Sequence, residues 1–128
     1  MRRVLVWLPA IAQMAVIFAA SNVSNLTELP GGLNDHVGHF AGYALLSALV
    51  IFALASGRWT GVTAGACVRA VLISTAYGIS DEFHQRFVPG RSPALDDIAA
   101  DAAGALAAAI LAPIARHVAL RLTRTRDV

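Results

Sequence analysis

Asp35, His39 and Tyr43 recur at i, i+4 and i+8, so one helix would carry a carboxylate, an imidazole and a phenol on a single face. A carboxylate one turn before a histidine can accept an imidazole N–H and set its tautomer. The other ring nitrogen is then free as a base or a metal ligand. The plainer reading makes Asp35 a helix N-cap, His36 and His39 interfacial polar residues, and Tyr43 an interface anchor. Tyr77, Asp81, His84 and Gln85 fall at i, i+4, i+7 and i+8 and form a second stripe, with Glu82 about a quarter-turn away. Its plain alternative is a solvated, idle helix end. Val88-Pro89-Gly90-Arg91 reads as a tight turn that delivers Arg91 to the same surface. The planar guanidinium suits a phosphate or carboxylate, and it equally suits pairing with the carboxylates around it. Asp97, Asp101 and Gly104 are spaced i, i+4, i+7. Asp97 could be an N-cap, but Asp101 lies a turn inside an Ala-rich helix. Two carboxylates one turn apart repel unless a cation or a shared proton lies between them.

The elements that must position these groups are apolar. The chain is 128 residues long, 57% hydrophobic and only 14% charged, which is one domain and too apolar for a soluble one. Candidate spans are 4–21, 37–56, 65–85 and 98–115. Pro9 lies one turn into the first. Arg2 and Arg3 before an apolar run also resemble a signal peptide, but no small-residue cleavage site leads into a soluble domain, so an uncleaved helix is expected. Together the spans predict an all-α membrane protein, residues 1–128 forming four transmembrane helices in an antiparallel bundle. Short loops would then gather the ionisable groups at one end. Cys67, the single cysteine, excludes an internal disulfide and reads as packing.

Orientation follows from the arginines. Arg2, Arg3, Arg58, Arg69, Arg116, Arg121, Arg124 and Arg126 share one side, and Arg86 and Arg91 the other. Glu28, Asp35, Asp81, Glu82, Asp96, Asp97 and Asp101 fall on or near that second side, and only Asp127 on the first. Both termini are therefore placed in the cytoplasm of a bacterial inner-membrane protein, with the polar site facing outward. The C-terminal arginines have this topological role to fill, and the small positive charge does not point to nucleic acid.

His39-Phe40 with Tyr43 after Asp35, then Asp81-Glu82-His84-Gln85, then Pro89-Gly90-Arg91, then Asp97, Asp101 and Gly104 resemble the VanZ-like family of small bacterial membrane proteins. The motifs are specific as an ordered set and span most of the chain. The resemblance implies a membrane fold and a site, and a namesake linked to resistance to the glycopeptide teicoplanin. Two positions depart from the family pattern: Asp35-His36 stands where Asp-Lys is frequent, and Asp101 where Asn is frequent.

Three functions compete for this pocket. In the first, the protein acts on a lipid-linked envelope component. His39, oriented by Asp35, or His84, near Asp81, is then base or nucleophile, and Arg91 binds phosphate. Glu82, Asp97 and Asp101 position a divalent metal or an acid, with Tyr43 and Gln85 completing the lining. In the second, the same residues bind a lipid head group or an amphiphilic glycopeptide without turnover. The third, ion or proton translocation, ranks last, because beyond Gln13, Ser47, Ser74 and Thr75 few polar groups lie deep in the spans. Carboxylate and His ligands could hold a divalent ion, though no spacing has the specificity of a zinc motif. Membrane lipid is the expected partner, and the small-residue helices permit a homodimer.

Overall fold

Helices form along the apolar runs and break at Pro and Gly. A computed structural model of the chain describes residues 2–23, 28–29 and 33–124. One helical turn, α1 (Arg2–Leu5), precedes α2 (Leu8–Ser21). Pro9 stands in the first turn of α2, where its missing N–H costs nothing, but it cannot carry a helix through from α1. The expected first span is therefore broken at Val6–Trp7, and α2 keeps 14 residues. Two two-residue strands follow, β1 (Glu28–Leu29) and β2 (Leu33–Asn34), paired antiparallel with Glu28 opposite Asn34. α3 (Asp35–Leu54) closes on a left-handed cap. Ser56 has φ 58° and Gly57 φ 75°, and the Gly57 N–H reaches back to the Phe52 carbonyl at 2.9 Å. After a 3-10 turn (Trp59–Gly61), the Thr63 hydroxyl accepts the Ala66 N–H at 3.1 Å and caps α4 (Ala64–Gln85). α5 (Leu95–Arg124) is a single helix of 30 residues with Pro113 inside it.

The fold is thus all-helical apart from the small ribbon, and α2 to α5 are its four main helices. α3 and α5 are long and apolar enough to cross a membrane. α2 is apolar but short, and α4 is long but interrupted by Arg69, Asp81 and Glu82. Arg126 and Asp127, used above to orient the chain, lie outside the described residues.

The core is built on α3. Tyr43, Leu46, Val50 and Ile51 are fully buried, against Ala10, Cys67, Ala70 and Ala112 from the other helices. Cys67 is a packing residue here, as its apolar surroundings predicted. α3 packs most broadly on α5, and α2 is the most loosely attached of the four. The close approach of α3 and α5 depends on Gly104, since a Cβ there would run into the Phe40 carbonyl oxygen. The outer faces are apolar: Ile11, Val68, Leu72, Ile110 and Ile114 are all more than half exposed. The buried polar residues, by contrast, cluster toward one end of the bundle.

Candidate functional site

That end is where α2 and α4 finish and α3 and α5 begin. Ser21 closes α2, Asp35 opens α3, Asp81 to Gln85 close α4, and Asp96 and Asp97 stand in the first turn of α5. The helix N-termini of α3 and α5 favour carboxylates there. Between α4 and α5, Gly90 takes φ 80° and the Arg91 N–H bonds the Val88 carbonyl at 3.1 Å. This is the turn that Pro-Gly predicts. It points Arg91 inward: the side chain is buried, and Nη1 stands 3.5 Å from Asp35 Oδ2.

His39 is the centre of the cluster. Its Nδ1–H donates to Asp101 Oδ1 at 2.9 Å. Its Nε2 faces Asp35 Oδ1 at 4.0 Å and Asp97 Oδ2 at 3.9 Å, both beyond hydrogen-bond reach. The carboxylate that sets the imidazole is therefore Asp101 and not, as i, i+4 spacing suggested, Asp35. A partner from the parallel helix α5 meets Nδ1 directly, whereas Asp35 on the same helix lies toward the far nitrogen. Asp97 is held in turn by His36, whose Nδ1 lies 2.9 Å from Oδ1. Asp35, His39 and Asp97 each offer one ligand atom, all within 4.8 Å of one another.

The α4 stripe divides. Asp81 and Gln85 turn into the bundle and are buried, and Asp81 Oδ2 pairs with the Ser21 hydroxyl. That hydroxyl also lies 2.9 Å from the Ile17 carbonyl, so one proton serves two acceptors. Glu82 is buried on a neighbouring face, where Oε2 accepts the Ala94 N–H at 2.9 Å and so fixes the entry to α5. His84 stands apart: Nε2–H donates to Asn22 Oδ1 at 3.2 Å and the ring lies 4.7 Å from that of Phe18. The Tyr43 ring is parallel to that of His39, with centroids 6.4 Å apart.

Several polar atoms in this cluster have no protein partner among the described residues. They are Tyr43 OH, Asp81 Oδ1, Glu82 Oε1, Gln85 Nε2, Arg91 Nε and Asp101 Oδ2, all buried. Leaving one such atom dry and unpaired costs about 1–3 kcal/mol, so six together mark a place built to hold water, ions or a ligand. A cavity of ≈ 210 Å³ meets the cluster. Asp35, His39, Tyr43, Asp81 and Arg91 line one part of it, and Val16, Ile17 and Ala20 of α2 line another. Val16 and Ala20 are exposed, so the cavity opens along the apolar flank of α2.

Sequence reasoning missed three contributors. Ser21 and Gln13 line the cavity from α2, with Gln13 Nε2 donating to the Gly42 carbonyl at 3.2 Å. His36, on spacing only an interfacial polar residue, holds Asp97. Polar residues in an apolar run were the available signal for the first two, but nothing in the spacing says which face of α2 meets α3.

The sequence pattern of the VanZ/LLP1 family matches residues 4–116, and the chain belongs to that family. No curated protein and no solved structure matches it significantly.

Proposed function

Starting from that membership, we propose that the chain is a four-span membrane protein that binds and acts on a lipid-linked component of the cell envelope through its anionic head group. The observation that carries the reading is the mixed lining of the α2–α3 cavity, with Arg91, His39 and Asp81 on one wall and Val16, Ile17 and Ala20 on the other. Its ≈ 210 Å³ is smaller than the roughly 300–1,000 Å³ of sites that enclose a whole drug-sized ligand. It suits a compact head group whose chain leaves along α2. Among the described residues Arg91 is the only guanidinium on the lining, and its fork matches phosphate or carboxylate oxygens. Asp101 occupies the Nδ1 side of His39, so Nε2 is the nitrogen presented to whatever enters.

A lipid-facing exterior supports the membrane setting. Large apolar side chains are exposed on every main helix while carboxylates are buried, the reverse of a soluble protein. The arginine distribution supports a site on the outer side of the bacterial inner membrane with both termini inside.

Turnover of a polyprenyl or phospholipid phosphate by the purified protein tests the reading. His39→Ala should reduce kcat by about 10²-fold or more if Nε2 serves the reaction. Arg91→Ala should raise KM for the phosphate-bearing lipid, and Arg91→Lys should recover part of the loss. Unchanged turnover in both variants would show that the reaction lies elsewhere.

A second reading is capture without turnover, of a lipid head group or an amphiphilic glycopeptide. It is favoured by the hydroxyls of the lining. Ser21 is held between Asp81 and Ile17, and Tyr43 is deeply buried, so neither is poised as a nucleophile. Saturable, Arg91-dependent binding with no product would decide for it. Translocation stays last, because two of the deep polar groups are consumed in helix contacts: Gln13 on the Gly42 carbonyl and Ser47 on the Ala105 carbonyl.

A further inference from the structure

Resting on the head-group reading above, we propose that Asp35, His39 Nε2 and Asp97 form a binding site for a divalent first-row cation, of the zinc or manganese kind, that bridges to the head-group phosphate. His39 carries the proposal. Its side chain is only 9% exposed, and its Nδ1–H is committed to Asp101. The remaining nitrogen points between two carboxylate oxygens at 3.9 and 4.0 Å that it cannot hydrogen-bond without a proton of its own. A lone pair between two carboxylates needs a cation or a proton. The distances favour a cation. Ligand atoms around a tetrahedral ion with bonds of about 2.0–2.2 Å lie roughly 3.3–3.6 Å apart. The two distances to Nε2 must close by about half an ångström, and the two carboxylate oxygens, which lie within 4.8 Å of each other, must also draw together. Asp35 can make that shift, since its side chain is 32% exposed and it is Oδ2, not the Oδ1 that faces His39, that lies by Arg91.

The groups that hold His39 and Asp97 have the form that metal-bound histidines usually show. Asp101 takes the far N–H of His39, and His36 holds Asp97 through the oxygen that does not face Nε2. One imidazole with two carboxylates suits borderline ions better than calcium or magnesium, which prefer all-oxygen cages. Charge points the same way. Asp81, Glu82, Asp97 and Asp101 are each no more than 5% exposed, yet among the described residues the cavity lining carries one guanidinium. A ligand position also remains beside the site. Tyr43 OH and Asp81 Oδ1 are buried, unpartnered and on the wall of the cavity that Asp35 and His39 also line. With Nε2 on the ion, Asp81 Oδ1 is the base left for a proton from water or substrate.

Zinc titrated calorimetrically into the EDTA-stripped, detergent-purified full chain tests the site. The wild type should bind one equivalent. His39→Ala and Asp97→Asn should abolish that binding while eluting as monodisperse protein. Asp96→Asn, an exposed neighbour, should bind as the wild type does. Asp101→Leu should weaken binding about 10–100-fold, and Asp101→Asn, which keeps an acceptor for Nδ1–H, should restore most of it. No stoichiometric zinc in the wild type, or equal binding in His39→Ala, overturns the proposal and leaves a proton on Nε2. Binding of a long-chain alkyl phosphate, measured in parallel with EDTA and with zinc, separates the two claims. Zinc binding without alkyl phosphate binding sinks the head-group reading alone. Alkyl phosphate binding that is indifferent to zinc, in a chain that takes up none, sinks the metal alone.

Discussion

Asp101 shows how one side chain holds the site in place. It is 1% exposed, with one oxygen on His39 and the other, Oδ2, unpartnered against Gly78. A Cβ on Gly78 would stand 2.5 Å from Oδ2, so only glycine leaves this carboxylate its position. Gly78→Ala should therefore push Asp101 off His39. The expected cost is about 1–3 kcal/mol of stability from overpacking, read as a lower Tm in detergent. The same variant should weaken ligand or ion binding although residue 78 touches neither. An unchanged Tm together with unchanged binding would mean the helices accommodate the methyl. The Asn frequent in the family at the Asp101 position fits this geometry, because an amide oxygen can accept Nδ1–H as well; what Asp101 adds is charge. Likewise the frequent Lys at the His36 position would set an ammonium near Asp97, where His36 now stands at 2.9 Å.

At the scale of elements, the apolar runs made the four main helices legible, and their ends less so. Spacing on α4 put Asp81, His84 and Gln85 on one stripe, but steps of three and four residues swing about 60° and 40° to opposite sides of Asp81. The bundle resolves that ambiguity: Asp81 and Gln85 face inward and His84 goes to Phe18 and Asn22 of the α2 end. Which helix lies beside which is a tertiary fact, and it is why Asp101 and not Asp35 proved to be the partner of His39 Nδ1. The break in the first span follows from Pro9 and was foreshadowed, whereas the extension of α5 to Arg124 reflects Ala, Leu and Arg, all strong helix formers, running on past the apolar stretch. The register of α3 on α5 has its own test. Gly104 fits where any side chain would meet the Phe40 carbonyl and the Ala44 amide. Gly104→Val should force α3 and α5 apart and separate His39 from Asp101. A fall in Tm larger than that of Gly78→Ala is expected, because backbone cannot yield as a side chain can. A Tm equal to the wild type would show that Gly104 is not the contact that fixes the pair.

The whole molecule combines an apolar exterior with a polar end, and its helix lengths are unequal in a way that bears on orientation. α5, at 30 residues, is about 45 Å long, so in the four-span reading one end would project from a hydrocarbon core of about 30 Å. The site end begins with Asp96 and Asp97, and the far end carries Arg116, Arg121 and Arg124, with Arg121 Nε bonded to His117 Nε2 at 2.8 Å. Arginines outside the hydrocarbon favour retention of a segment in the cytoplasm, so the proposed orientation has the arginine end inside and the Asp35–Asp101 cluster outside. α2, at 14 residues or about 21 Å, is too short to span that core without local thinning, and it is also the most loosely packed helix and a wall of the cavity. Thinning at α2 would bring lipid head groups toward Arg91. An alkaline phosphatase reporter, active only outside the cytoplasm, should be inactive when fused after Arg124 and active when fused after Gly90, in the turn between α4 and α5. Replacing Arg116, Arg121 and Arg124 with Gln should weaken that preference and give some active C-terminal fusion. The reverse pattern, an active wild-type C-terminal fusion and a silent one at the turn, would place the cluster in the cytoplasm and remove envelope lipids as its ligands.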